Sequence, residues 1–148
     1  MIASYHAAYV LDASVAFKWF SAKPEPHRDT AMALRERHAS GRCRLIVPEL
    51  FFLEMLNVLR FHAKATEEDA SAALRVLEHF NFQMEPFSWD LLRKTNAIAW
   101  SYGVTMYDAC YVALAEMKGF PLVTADDGLV KKMRGHSIVV RLGDLRFA

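Results

Sequence analysis

Four acidic residues, Asp12, Glu54, Asp108 and Asp126, lie in or beside apolar stretches of the sequence. Glu54, for example, follows four consecutive apolar residues and precedes two more. Aspartate and glutamate are almost never fully buried without a partner. Because few basic residues lie near these acids in the sequence, four salt bridges are not an adequate explanation for them.

Carboxylates that share one pocket repel one another, by roughly 3 kcal/mol for two charges about 6 Å apart at an effective dielectric of 20. Such a pocket takes up protons or a cation. Oxygen ligands without a cysteine or histidine cluster favour Mg²⁺ or Mn²⁺ over Zn²⁺. One or two such ions lower the pKa of bound water, orient a phosphate and stabilise a leaving oxygen. The four acids therefore predict hydrolysis of a phosphodiester.

The elements that would position these acids alternate between short apolar strands and helices. Strands are predicted at 8–11, 44–47, 82–85, 121–124 and 137–140. Helices are predicted at 14–20, 29–39, 48–63, 67–79, 88–102, 107–118 and 129–133. This alternation predicts an α/β fold with a parallel sheet covered by helices on both faces.

In such a sheet, ligands bind beyond the carboxyl ends of the strands. Asp12 ends the first predicted strand, and Asp126 follows the fourth after one residue. Glu54 and Asp108 lie near the starts of helices, which begin at the same edge when they follow a parallel strand. All four acids are therefore expected at one edge of the sheet.

Several predicted helix ends carry residues that stabilise them. Ser14 and Thr66 are expected to cap helix N-termini, and Pro48 is expected in a first helical turn, where its missing N–H needs no partner. Gly103 and Gly119 stand where a left-handed residue ends a helix.

Composition narrows the class of protein. The 148 residues fit one domain, 53% of them are hydrophobic and 24% are charged, and no apolar run approaches the ~18 residues of a membrane span. Cys43 and Cys110 are expected to be reduced thiols of a cytoplasmic protein. The net charge is +1, but without the four acids it would be +5, 18 positive against 13 negative residues, which is compatible with nucleic-acid binding.

Four segments, 9–14, 48–59, 105–115 and 122–126, resemble in order and spacing the PIN-domain ribonucleases of the VapC toxin family. The resemblance implies a PIN-like three-layer α/β/α sandwich with a central, mainly parallel sheet. It implies a Mg²⁺-dependent endoribonuclease, with Mn²⁺ able to substitute, that is the toxin of a type II toxin–antitoxin system. It also implies a cytoplasmic homodimer that acts on RNA, binds a cognate VapB-like antitoxin and does not enter membranes.

The resemblance assigns roles residue by residue. Asp12 and Asp108 match the principal metal ligands, and Glu54 and Asp126 complete the site through water or a second ion. Three further positions match supporting polar residues of the family: Ser14, Asn57 and Thr124.

The sequence departs from the family pattern in two places. Asp126 is followed by a second acid, Asp127, which is a competing ligand. Residues 1–7 exceed the usual N-terminal lead and are expected to be a flexible extension or to precede an alternative start.

Other interpretations of these residues remain open at this point. Asp12 is also a suitable helix cap, Asp108 a first-turn acid that favours the helix dipole, Glu54 a partner for Arg60, and Asp126 an ordinary loop residue. The chain could be a non-catalytic PIN-like module whose acidic cleft binds a basic partner segment. A phosphoacceptor receiver domain is a weaker alternative, because no second carboxylate follows Asp12 until Glu25.

Overall fold

The apolar runs form a five-stranded sheet in the computed structural model, which describes residues 7–61 and 64–147. The strands are β1 Ala7–Leu11, β2 Cys43–Pro48, β3 Gln83–Glu85, β4 Leu122–Thr124 and β5 Val139–Arg141. Their spatial order is β3-β2-β1-β4-β5, and every pairing is parallel. Strands β1, β2 and β4 are almost entirely buried, as expected for parallel strands covered on both faces.

Helices flank this sheet. They are α1 Ala13–Ala16, α2 Arg28–Ala39, α3 Leu50–Phe61, α4 Glu67–His79, α5 Trp89–Tyr102, α6 Met106–Lys118 and α7 Asp127–Lys132. Short 3-10 segments follow α1 and β5, at Phe17–Trp19 and Leu142–Asp144. Helix α6 is the most deeply buried, because residues 109–115 are all inaccessible or nearly so. The α/β prediction is therefore confirmed.

The order of the strands creates a topological switch point. The chain builds outward from β1 to β2 and β3, then returns to place β4 on the other side of β1. In open parallel sheets, ligands bind in the crevice at the carboxyl ends of the strands where the order reverses. Asp12 follows β1 and Asp126 follows β4, so these two acids flank this crevice.

Most predicted helix starts differ from the structure by one or two residues, and for Pro48 and Ser14 the difference overturns an assigned role. Pro48 is the last residue of β2, not a first-turn residue, and α3 begins at Leu50. The sheet continues past the proline because the Glu49 N–H donates to the Glu85 carbonyl, 3.2 Å away. Helix α1 begins one residue before Ser14, so Asp12 and not Ser14 occupies its N-cap position.

The helix ends predicted at Thr66, Gly103 and Gly119 are confirmed, whereas the predicted N-terminal extension lies mostly outside the described residues. Thr66 forms a capping box with Asp69, and Gly103 and Gly119 end their helices with φ angles of 65° and 72°. Ala7 belongs to β1, whereas residues 1–6 of the predicted extension lie outside the described residues, as do 62 and 63 at the predicted end of α3.

Cys43 and Cys110 are free, as predicted, and both are buried. Within residues 7–61 and 64–147, none of the helices has the length and apolar character needed to cross a bilayer.

Candidate active site

Asp12 lies at the centre of a network of hydroxyl groups at the end of β1. Its side chain is buried, and its Oδ2 accepts hydrogen bonds from Ser14 Oγ and Thr124 Oγ1, each 2.7 Å away. The same hydroxyls accept from the backbone N–H groups of Ala125 and Asp126, both at 3.0 Å. The network therefore ties the end of β1 to the end of β4 and fixes the Asp12 carboxylate.

Burial raises the pKa of Asp12, and the charge of Asp126 raises it further, whereas the hydrogen bonds from Thr124 and Ser14 lower it. A buried carboxylate that accepts two hydrogen bonds from hydroxyl groups, but has no cationic partner within residues 7–61 and 64–147, is costly to hold ionised. The two hydrogen bonds favour the ionised form of Asp12 once a cation is available.

Asp126 and its neighbour Asp127 have different partners. Asp126 is the N-cap of α7, where its Oδ1 accepts from the Leu129 N–H at 3.1 Å, and its charge acts on Asp12 and Asp108. Asp127 is largely exposed and its Oδ1 lies 3.3 Å from Arg141 Nε. The structure therefore favours Asp126 over Asp127 as the site residue of this pair.

Glu54 is half-buried on α3, and Arg60 is not its partner in the described part of the chain. The guanidinium of Arg60 instead lies over the Phe61 ring, 5.6 Å from its centroid. Burial raises the pKa of Glu54, the charges of Asp12 and Asp108 raise it further, and Tyr111 lowers it. The salt-bridge interpretation of Glu54 therefore fails for the described residues.

Asp108 lies in the first turn of α6, whose N-cap Thr105 accepts from the Asp108 N–H at 3.1 Å. Burial raises the pKa of the Asp108 carboxyl, as do the charges of Asp12 and Asp126, and Thr105 and the ammonium of Lys132 lower it. The first-turn interpretation is thus correct for the backbone position of Asp108, but its carboxylate also interacts electrostatically with the other three site acids.

The four acids belong to one electrostatic cluster. Asp12 interacts with each of the other three, and Asp108 interacts with all of them. In the described part of the chain, however, no three His, Cys, Asp or Glu side chains are gathered closely enough to form a ready metal-ligand set. The chemistry of the donors, all of them carboxylates, fits a hard cation.

Asn57 is not brought into the network. It lies on α3 three residues after Glu54, but it is exposed and its side chain makes no hydrogen bond within the described residues. Tyr111, by contrast, contacts the site and was given no role from sequence. Its position three residues after Asp108 on α6 places both side chains on the same helix face, which is the signal that could have identified it.

The chain is similar to a known protein family and to two individual proteins. The family model described as PIN domain matches residues 9–134, a range that includes all four acids. Ribonuclease VapC3 of Pyrobaculum aerophilum is 38% identical to the chain over 101 residues, which cover 66% of this chain and 77% of that protein. Exonuclease VapC9 of the same organism is 31% identical over 142 residues, covering 90% and 95%.

A solved toxin–antitoxin complex from Klebsiella pneumoniae contains a similarly folded chain, with a TM-score of 0.69 and 16% identity over 93% of this chain and 99% of that one. At this identity the match speaks for the fold alone. Because the family model covers most of the chain and both curated relatives are VapC proteins, the chain belongs to the PIN-domain family and, within it, to the VapC group.

Proposed function

We propose that this protein is a Mg²⁺-dependent endoribonuclease, the toxin of a type II toxin–antitoxin system, which hydrolyses RNA phosphodiester bonds at the four-carboxylate site. The observation that carries the proposal is Asp12, a buried carboxylate with no basic partner among the described residues, which interacts with three further acids at the switch point of the sheet. The name of the relative Ribonuclease VapC3 supports RNA as the substrate.

The donor set suits Mg²⁺, and Mn²⁺ as its substitute, because it consists of carboxylates. We assign Asp12 and Asp108 as the direct ligands, and Glu54 and Asp126 as residues that complete the site through water or a second ion. When bound, such an ion supplies Lewis-acid stabilisation of the phosphate and lowers the pKa of a coordinated water.

The side chains of the chain itself supply orientation and proton transfer. Ser14 and Thr124 hold Asp12 in one orientation through its Oδ2. Glu54, whose pKa is raised by burial and by neighbouring acids, is suited to orient the attacking water and accept its proton as the oxygen attacks phosphorus. The bond from phosphorus to the leaving ribose oxygen then breaks, and that oxygen takes a proton from solvent water.

An antitoxin is the proposed protein partner. Two adjoining grooves share Ala72 and Val76 of α4: one of about 820 Å³ beside α2, and one of about 410 Å³ beside α3 and the first 3-10 segment. The second groove is walled by Phe17, Phe20 and Leu59. Together they provide an elongated, mainly apolar surface for a VapB-like segment, whose onward chain we expect to block the acidic site.

A homodimer is the second proposed assembly. Trp89 and Trp100 of α5 have 73% and 78% of their surface exposed. They are eleven residues apart and therefore lie on the same face of the helix. We propose that this face packs against a second copy of the chain, since exposed large apolar residues of this kind mark interaction surfaces.

Two further parts of the proposal concern the number of domains and the cellular compartment. The described strands share one sheet and one hydrophobic core, which supports a single domain. Two free, buried thiols and an RNA substrate support a cytoplasmic location.

Cleavage of a labelled RNA by the purified protein, with Mg²⁺ or with EDTA, tests the main proposal. We expect cleavage only with the metal, and a loss of roughly 100-fold or more in Asp12→Asn and Asp108→Asn. Asp90→Asn, an exposed acid of α5 that pairs with Arg93, is the matched control and should cleave normally. Wild-type cleavage rates in both site variants would refute the proposal.

The same assay on a circular RNA separates two modes of cleavage, because one relative is called an exonuclease. An endonuclease opens the circle, whereas an exonuclease leaves it intact. Linear products from the circular substrate are the expected result.

The non-catalytic alternative rests on the absence of a ready metal-ligand set among the described residues. It predicts that the acidic cleft binds a basic partner segment, with no turnover of RNA and no effect of a chelator. Calorimetric titration with Mn²⁺ distinguishes the two, because only the nuclease is expected to take up the ion at the acids.

A further inference from the structure

Two buried polar atoms meet beside the acidic cluster without a well-formed hydrogen bond. They are Glu54 Oε1 on α3 and the hydroxyl of Tyr111 on α6. Tyr111 has none of its surface exposed, so bulk solvent does not reach its hydroxyl. Buried polar groups are nearly always hydrogen-bonded, and an orphaned pair of this kind calls for an explanation.

The two groups act on each other electrostatically. Tyr111 lowers the pKa of Glu54, and the Glu54 charge raises the pKa of Tyr111. Burial is the largest cause that holds the pKa of Tyr111 far above its usual value, and the charge of Asp12 acts in the same direction. The phenol carries an O–H that can donate a hydrogen bond, and the unpartnered carboxylate oxygen of Glu54 can accept one.

The Tyr111 hydroxyl also lies beside the backbone N–H of Ala13, the residue that follows Asp12. Tyr111 thus connects three elements that carry site acids: the β1–α1 turn, α3 and its own helix α6. In the described residues no cation stands in this position, which leaves the phenol as the group able to direct Glu54.

We propose that Tyr111 is the positioning residue for Glu54: its O–H donates to Glu54 Oε1 and directs the second carboxylate oxygen, Oε2, toward the reacting water. The inference rests on the proposed nuclease function. It adds a neutral member to the site, one that orients an acid without cancelling its charge, which an arginine or lysine in the same place would do.

A spectroscopic experiment tests the contact itself. The protein labelled with ¹³C at tyrosine Cζ carries five tyrosine signals, and Tyr111→Phe identifies the one from residue 111. We expect Glu54→Leu, which removes the acceptor, to shift that signal and to leave the signal of Tyr9 unchanged. An unmoved Tyr111 signal would refute the hydrogen bond, whether or not the protein cleaves RNA.

Kinetics test the positioning role. We expect Tyr111→Phe to lower kcat about tenfold, the effect of one lost hydrogen bond to a charged group, and to leave KM unchanged. Tyr9→Phe removes a hydroxyl from another buried tyrosine, on β1 beside Cys43 and Arg37, and should retain wild-type kinetics.

Separate outcomes distinguish this inference from the function on which it rests. If the wild type cleaves RNA and Tyr111→Phe cleaves at the same rate, the positioning role is wrong and the nuclease proposal stands. If kcat falls equally in Tyr9→Phe, the effect is general destabilisation and the positioning role is again refuted. If the wild type does not cleave RNA, the nuclease proposal fails and the positioning role fails with it.

Discussion

Ser14 and Thr124 determine how the Asp12 carboxylate is presented at the end of β1. Each hydroxyl donates to the same oxygen, Oδ2, and each accepts a backbone N–H from the segment that follows β4. A hydroxyl that both donates and accepts in this way has one orientation available. The two residues therefore act as fixed spacers between Asp12 and the residues after β4, Ala125 and Asp126.

Thr124→Val keeps the shape of the side chain and removes its donor. We expect RNA cleavage to slow about tenfold, because a hydrogen bond to a charged group is lost and the Asp12 carboxylate is less well held. Thr30→Val on α2, remote from this network, is the control. The rate constants of RNA cleavage are measured at saturating Mg²⁺. Equal rates in the two variants would contradict the proposed role of Thr124.

The raised pKa of Asp12 makes stability depend on pH in a defined direction. In the metal-free protein the folded-state pKa of Asp12 lies above its unfolded value, so the unfolded chain releases this proton at lower pH. The contribution of the neutral carboxyl to stability is fully present below the unfolded pKa and is lost as pH rises through the folded pKa.

Asp12→Asn should therefore stabilise the metal-free protein at neutral pH, by about 1 kcal/mol, and abolish cleavage. Urea unfolding in EDTA at several pH values measures the effect, which should vanish at pH values below the unfolded pKa of 3.8. Asp90→Asn serves as the control. A destabilised Asp12→Asn protein at neutral pH would show that the buried charge is compensated by a partner.

Individual acids of the site could be identified from sequence because each interrupts or follows an apolar run, as Asp12 and Glu54 do. Of their partners, Ser14 and Thr124 were singled out only through the family resemblance, and Tyr111 was not singled out at all. Ser14 was expected to cap a helix, since serine is common there, but its hydroxyl bonds Asp12 because α1 begins one residue earlier. Tyr111 looks like one more apolar residue of α6 until the fold brings Glu54 beside it.

At the scale of elements, helix ends were well predicted where local chemistry decides them. Gly103 and Gly119 adopt the left-handed conformation that ends α5 and α6, which any other residue except asparagine or aspartate adopts at a cost. Pro48 was assigned to the wrong element because its neighbour, Glu49, pairs with β3 through its own N–H. That pairing depends on a strand 35 residues away, which local sequence does not reveal.

Helix α4 allows a test of antitoxin binding. Val76 lines both adjoining grooves, whereas Leu74 on the same helix lines neither and is exposed to a similar extent, 41% against 37%. We expect Val76→Glu to place a charge in the apolar groove and weaken binding of the antitoxin at least tenfold, with RNA cleavage unchanged. Leu74→Glu should bind normally.

Calorimetric titration of each variant with the antitoxin, and inhibition of RNA cleavage by it, provide the measurement. If both substitutions weakened antitoxin binding equally, the effect would come from the added charge on α4 and not from the groove. Unchanged binding by Val76→Glu would locate the antitoxin elsewhere on the surface.

For the whole molecule, the exposed face of α5 carries the proposed dimer contact. Trp100→Glu should convert the proposed dimer to a monomer, because a charge buried without a partner at the centre of an apolar contact is costly. Light scattering after gel filtration measures the mass, to be compared with 16.9 kDa for one chain. Leu74→Glu is the control for an added surface charge, and a dimer that persists in Trp100→Glu would place the contact elsewhere.

The overall architecture followed from the alternation of apolar strands and helices, and the strand order confirmed the shared edge for Asp12 and Asp126. Whether each tryptophan is buried or exposed was harder to predict from the sequence. Trp19 is buried, with its indole N–H donating to the Ala31 carbonyl at 2.8 Å, whereas Trp89 and Trp100 are exposed. Buried and exposed tryptophans occur at the same helical spacing in the sequence, so only the folded structure distinguishes them.

The hydrogen bond between Thr124 and Asp12 joins residues 112 positions apart. During translation, Asp12 is synthesised 112 residues before its partner on β4, so this hydrogen bond forms only after β4 has been made. Under the function proposed above, a chain that stops short of β4 lacks this network and is not expected to cleave RNA.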